Sequence, residues 1–157
     1  MSDAGAVGFN EFCAAAEASE RPTIVDGELR NVTVKRSEWF RGRGSYNDVE
    51  GHYVHSALRV VAKGKVFKHC CLGFAAMQCG VAPELLHNLS MVSNIPKQHR
   101  PDALDPFLTH GPYGSQDSDF AKQAASFNDT IGDTDEGREE KLTKLFAEHG
   151  IALHFVD

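Results

Sequence analysis

Lys65-Val66-Phe67-Lys68-His69-Cys70-Cys71-Leu72-Gly73 passes from an extended run into a helical one, and the fold class turns on that junction. Residues 65–69 read as the return strand of a hairpin. Its outgoing strand is 57–61 and its turn is Ala62-Lys63-Gly64, with Leu58, Val60 and Val66 supplying the packing. From Cys71 the period changes. Leu72, Ala75, Ala76 and Cys79 fall on one helical face, and Gly80 supplies the stop.

Upstream, residues 8–19 predict a helix, because Phe9, Phe12, Cys13 and Ala16 recur at three- and four-residue spacing. Pro22 and Gly27 break the chain. Residues 29–34 alternate, with Val32 and Val34 on one side, and predict a strand. Ser37 is a candidate cap for a short turn carrying Trp39 and Phe40, and the glycines and Asx residues of 42–51 make a loop.

Downstream, Pro83 suits the first turn of a helix with Leu85, Leu86 and Leu89 inward. Residues 93–117, rich in Pro, Asn, His, Asp and Gly, read as a long irregular loop, a kind of segment often tied to function. Ser118 caps a helix through Asn128, with Phe120, Ala124 and Phe127 in a stripe. Asp133-Thr134-Asp135-Glu136 has capping-box spacing ahead of a last helix that buries Leu142, Leu145 and Phe146. Gly150 ends that helix, and residues 151–156 close the chain as a strand. The expected class is α+β: a small, mainly antiparallel sheet with a hairpin, packed by four to five helices. Residues 1–157 make one domain, with 1–27 as an N-terminal helical extension.

The 157 residues are 41% hydrophobic and 24% charged, and the net charge is −6. That balance fits a folded domain with a real core and opposes general binding to a nucleic-acid backbone. The cations Lys35, Arg36, Arg41 and Arg43 read as a solvated face. No apolar run is long enough to span a bilayer, and the first residues lack the pattern of a secretory signal. The expected location is the cytoplasm, where Cys13, Cys70, Cys71 and Cys79 stay reduced.

Cys71 falls at a helix start, where free N–H groups and the helix dipole favour a thiolate. With His69 two residues away and Asn128 or Asp129 brought in from another helix, it is the candidate nucleophile of a Cys-His-Asn/Asp arrangement. The competing reading puts the cysteines in the core and makes Leu72-Gly73 a close packing joint. Asn128-Asp129 likewise reads either as a helix-ending turn or as a polar pair facing the Cys71 helix across a groove. No metal-ligand spacing is present, so no metal site is expected. His52, His55, His87, His99 and His110 read as solvated. Gly42-x-Gly44 lacks the rest of a phosphate loop, and no G-x-S-x-G elbow occurs, so no cofactor is implied.

Three pieces stand in order: Trp39, then Gly64 with Cys70-Cys71-Leu72-Gly73, then Phe127-Asn128-Asp129 before a closing helix. In this order the chain resembles small phage and prophage accessory proteins that carry a C-C-L-G helix start and a downstream N-D motif. The resemblance spans residues 37–80 and 120–149, with a degenerate opening and Phe74 in place of the usual valine. It implies a non-enzymatic protein that binds a host factor or a small nucleotide-like ligand, as an inhibitor or sponge in anti-defence. Trp39, His69, Asn128 and Asp129 are then the ligand-binding candidates. Two alternatives stay open: a thiol-dependent hydrolase or transferase with Cys71, His69 and Asp129 as its machinery, and a purely structural domain. A homo-oligomer is also compatible.

Overall fold

The computed structural model describes residues 21–45, 57–62 and 64–157. The helix expected over 8–19, and His52 and His55, lie outside the described residues. The architecture is mixed α and β. In place of one sheet there are four separate two-stranded pairs, three antiparallel and one parallel.

The first pair is β1 (Ile24–Val25) with β2 (Glu28–Leu29). Its turn residues Asp26 (φ 52°) and Gly27 (φ 79°) both take positive φ, the pattern of a primed turn that matches strand twist. Gly27, expected as a break after a helical extension, is therefore a hairpin tip.

β3 (Asn31–Lys35) buries Val32 and Val34 as its alternation requires. It pairs in parallel with β8 (Ala152–Val156), Val32 opposite Leu153 and Val34 opposite Phe155. The last strand thus joins an early one in the longest ladder among the described residues. The Gln78 side chain satisfies the backbone of Thr33 as a neighbouring strand would. Thr33 N–H donates to Oε1 at 2.9 Å, and Nε2 donates to the Thr33 carbonyl at 2.6 Å.

The expected hairpin is present as β4 (Val60–Val61) and β5 (Phe67–Lys68). α1 (Cys71–Gln78) follows at once, and every residue from Cys71 to Ala76 is buried. A helix apolar all round belongs inside a protein. α1 packs on β3 and on α2 (Asp119–Asp129), while α3 (Asp135–Glu148) packs on α2 and β8. Phe107, Phe120 and Phe146 interlock beneath them, with ring centroids 4.9 to 6.0 Å apart.

The described residues hold three α-helices, fewer than the four to five expected. Pro83–Leu86 is a single 3₁₀ turn, not a helix. The expected long loop 93–117 is largely structured. Short 3₁₀ turns occupy Val92–Asn94, Lys97–His99 and Asp102–Phe107, and β6 (Leu108–Gly111) pairs with β7 (Gly114–Asp117) in a hairpin. Ser118 caps α2 as expected, its side chain accepting from Ala121 N–H. The cap of α3 is Thr134, one residue beyond Asp133, and it accepts from Gly137 N–H. Among the described residues no helix is long and apolar enough to cross a membrane.

Candidate functional site

The three motif pieces meet at one buried point. Asn128 projects from α2 into the core with no exposed surface. Its Oδ1 accepts from the Trp39 indole N–H at 2.8 Å and from the Cys71 backbone N–H at 3.2 Å. Its Nδ2 donates to the Phe40 carbonyl at 2.9 Å and to Asp129 Oδ1 at 3.0 Å. A carboxamide has two donors and two acceptor lone pairs, and all four are used. Asn128 therefore caps α1 from another helix, where Cys70 offers no side-chain cap of its own. It also ties that helix to the Trp39-Phe40 segment.

That segment is held from the other side by His69, the residue after β5, in an isolated parallel bridge with Trp39. His69 N–H donates to the Glu38 carbonyl and Phe40 N–H to the His69 carbonyl, both at 2.8 Å. Trp39 is buried and lies 5.0 Å from the Phe155 ring. Asp129, half-buried, sets its carboxylate against Gly42, where any Cβ would stand 2.2 Å from Oδ1. Gly73 faces the backbone on the far side of α1, and a Cβ there would stand 1.9 Å from the Leu58 carbonyl oxygen.

These contacts bring Trp39, Cys71, Asn128 and Asp129 together and spend the Asn128 amide within the fold. The expected Cys71–His69–Asp129 relay is not formed. Cys71 is fully buried, and its thiol contacts the Ala124 carbonyl at 3.9 Å. Desolvation, with Cys70 and Asp129 adding to it, pushes that thiol well above its ordinary range, the opposite of an activated nucleophile. Burial likewise pushes Cys70 up to about 12 and Cys79 up to about 11. His69 packs edge-on against Phe74 at 5.5 Å, and among the described residues neither ring nitrogen has a hydrogen-bond partner.

Two predictions follow from these burials. In a Cys13→Ser background, the native protein is expected to consume a thiol reagent only as fast as it unfolds, and all three remaining thiols react at once in guanidinium. Rapid native modification of Cys71 contradicts the burial. The second concerns acid. Burial, with Arg59 nearby, pushes the His69 imidazole down to about 4, from an ordinary 6.5. The unfolded chain then binds the proton more readily than the folded one. Stability is full above pH 6.5 and falls as the pH drops toward 4, by on the order of 2 kcal/mol. Denaturant titrations at pH 7 and pH 4.5 read this difference. His69→Leu should remove most of it, leaving the smaller contribution of His154, lowered by burial beside Arg21.

A second polar constellation lies on the 93–117 segment, whose individual site residues the sequence reading did not single out. Lys97, Arg100, Asp102, Asp105, His110 and Ser115 line an open cleft of about 290 Å³ between the 97–107 turns and the β6–β7 hairpin. Arg100 Nε and Nη1 are shielded from solvent and have no acceptor among the described residues. His110 stands opposite Ser115 in the β6–β7 register, and its ring lies between two partners. Nδ1 is 2.9 Å from Ser115 Oγ, and Nε2 is 3.3 Å from Asp105 Oδ1. Asp102 and Asp105 also line a neighbouring cleft of about 590 Å³ with Arg30 and His149. A signal for this face did exist: Gly111-Pro112-Tyr113-Gly114 is a two-residue turn flanked by glycines, which sets His110 and Ser115 across from one another. Among the described residues no group of His, Cys, Asp and Glu is arranged to hold a metal ion.

Compared with known proteins, the chain matches no family model, no curated protein and no solved structure.

Proposed function

We propose that this chain is an accessory protein of the phage and prophage kind that acts by binding, and that its ligand is a small, nucleotide-like anion seated in the cleft of Lys97 and Arg100. The observation that carries the proposal is Arg100. Arg100 lines the cleft, and its guanidinium, with Nε and Nη1 shielded and without an acceptor among the described residues, carries a positive charge that no described carboxylate neutralises at those atoms. A phosphate or carboxylate is the natural complement, because the planar fork of arginine matches two oxygens. Lys97 adds a second cation on the same cleft, and Asp102 offers an acceptor to an amino group of a base. The volume, about 290 Å³, fits a ligand near the size of a nucleoside monophosphate. The net charge of −6 favours a small anion over a nucleic acid, which an acidic protein repels. The accessory role rests on the resemblance around Trp39, Cys70-Cys71-Leu72-Gly73 and Asn128-Asp129.

Thermal unfolding against inorganic phosphate and a panel of linear and cyclic nucleotides tests the reading. Ligand at a hundredfold excess over Kd stabilises by about 2.7 kcal/mol, which for a chain of this size raises Tm by roughly 5–10 °C. Arg100→Gln should abolish the rise while leaving the unliganded Tm within a few degrees. A flat response across the panel, or an undiminished one in Arg100→Gln, overturns it.

A further inference from the structure

We propose that Ser115, His110 and Asp105 form a hydrolytic array that cleaves small carboxylic esters bearing an anionic group. The substrate's anionic character rests on the binding reading above; the array itself does not.

The geometry is that of a nucleophile, a base and an orienting carboxylate in a row. Asp105 Oδ1 at 3.3 Å accepts from His110 Nε2–H, which selects the tautomer whose Nδ1 carries the lone pair. That lone pair faces Ser115 Oγ at 2.9 Å, where it accepts the hydroxyl proton. The roles of the two ring nitrogens are exchanged relative to the familiar serine hydrolase, but the order Asp, His, Ser is kept. Position comes from the backbone. His110 and Ser115 are directly paired across β6 and β7, so their side chains share a face. Their neighbours toward the tip, Gly111 and Gly114, carry no side chain to cover them. Arg100 and Lys97 line the same cleft and supply the charge that holds an anionic substituent.

The step balances without a cofactor. Ser115 Oγ bonds to the ester carbonyl carbon as its proton passes to His110 Nδ1. The C–O bond to the leaving alcohol breaks, and that oxygen takes the proton from the imidazolium. Water then adds to the acyl-serine, giving its proton to His110, and the acid leaves as Ser115 regains its hydrogen. Asp105 orients the ring throughout.

Labelling with a fluorophosphonate, followed by peptide mass mapping, tests this on the full chain. The expected result is modification at Ser115, slowed about a hundredfold in His110→Ala and slowed also in Asp105→Asn. Far-UV circular dichroism of each variant checks that the hairpin mutants are folded. Hydrolysis of an anionic 4-nitrophenyl ester should follow the same order and vanish in Ser115→Ala. No label at Ser115, or a rate indifferent to both His110→Ala and Asp105→Asn, overturns the array. Inorganic phosphate separates the two proposals. His110-dependent labelling that phosphate slows supports both, whereas His110-dependent labelling that phosphate leaves unchanged keeps the array and removes the anion-binding reading.

Discussion

Replacing Asn128 with alanine is expected to destabilise the protein by roughly 3–6 kcal/mol, enough to unfold most marginally stable domains. The magnitude comes from what is stranded. The Trp39 indole N–H and the Cys71 N–H lose their acceptor, and the Phe40 carbonyl loses its donor. All three lie beside residues with almost no exposure, so water cannot replace the amide without opening the core. Each orphaned group costs about 1–3 kcal/mol. Asn128→Asp keeps the acceptor but turns the donor into an oxygen facing the Phe40 carbonyl and Asp129, so it should fare little better at neutral pH. Denaturant titration measures the loss. A change below about 1 kcal/mol in Asn128→Ala would mean that the side chain is not the joint described above.

The second large effect is expected at Gly73. Alanine there places a methyl carbon 1.9 Å from the Leu58 carbonyl oxygen, a backbone atom that cannot rotate away. Relief requires α1 to move off the β4 side of the core, at roughly 3 kcal/mol or more. Gly111→Ala is the matched control. Its added carbon meets nothing closer than 3.9 Å, and the change should stay within about 0.5 kcal/mol. Equal effects at both positions would contradict close packing at Gly73.

Much of this architecture was legible locally. The alternation of Val32 and Val34, the tight return by which Lys65 N–H meets the Ala62 carbonyl, the Ser118 cap and the Gly150 stop each act over a few residues, and each is found where the pattern places it. What the pattern could not convey is pairing over distance. Nothing in residues 29–34 says that their partner is the last strand, or that the two run parallel. The same limit applied at the motif. Asn128 read first as a helix-ending turn and second as a polar ligand contact, because both use the same chemistry at the same place. Only the inward turn of α2 decides that its amide is spent on Trp39, Phe40 and Cys71. The misreading of 93–117 has a different cause. Proline, glycine and Asx residues mark loops, but they also mark 3₁₀ turns and tight hairpins, and here they build both.

The outcome is a separation of two regions. Residues whose types suggest chemistry, Cys71 and His69, are buried with Asn128 at the centre of the fold. Residues that line an open cleft, His110 and Ser115 with their aligned polar groups and Arg100 with two shielded donors, lie on the segment that composition alone marks as irregular. An alkaline limit on stability has the same origin as the inert thiols. Cys70 and Cys79 are held protonated in the folded state, so stability present below pH 9 is lost as the pH rises toward their folded values of about 12 and 11.

That separation is tested most directly by a ¹H–¹⁵N correlation spectrum recorded while adenosine monophosphate is added. The chain has one tryptophan, so the Trp39 indole N–H gives a single side-chain signal that reports on the buried joint. Saturable shifts are expected at Lys97, Arg100 and residues 110–115, with the Trp39 indole and Cys71 amide signals unmoved. Shifts that appear first at the Trp39 indole and Cys71 amide, with residues 97–115 silent, would place the ligand at the motif and contradict it.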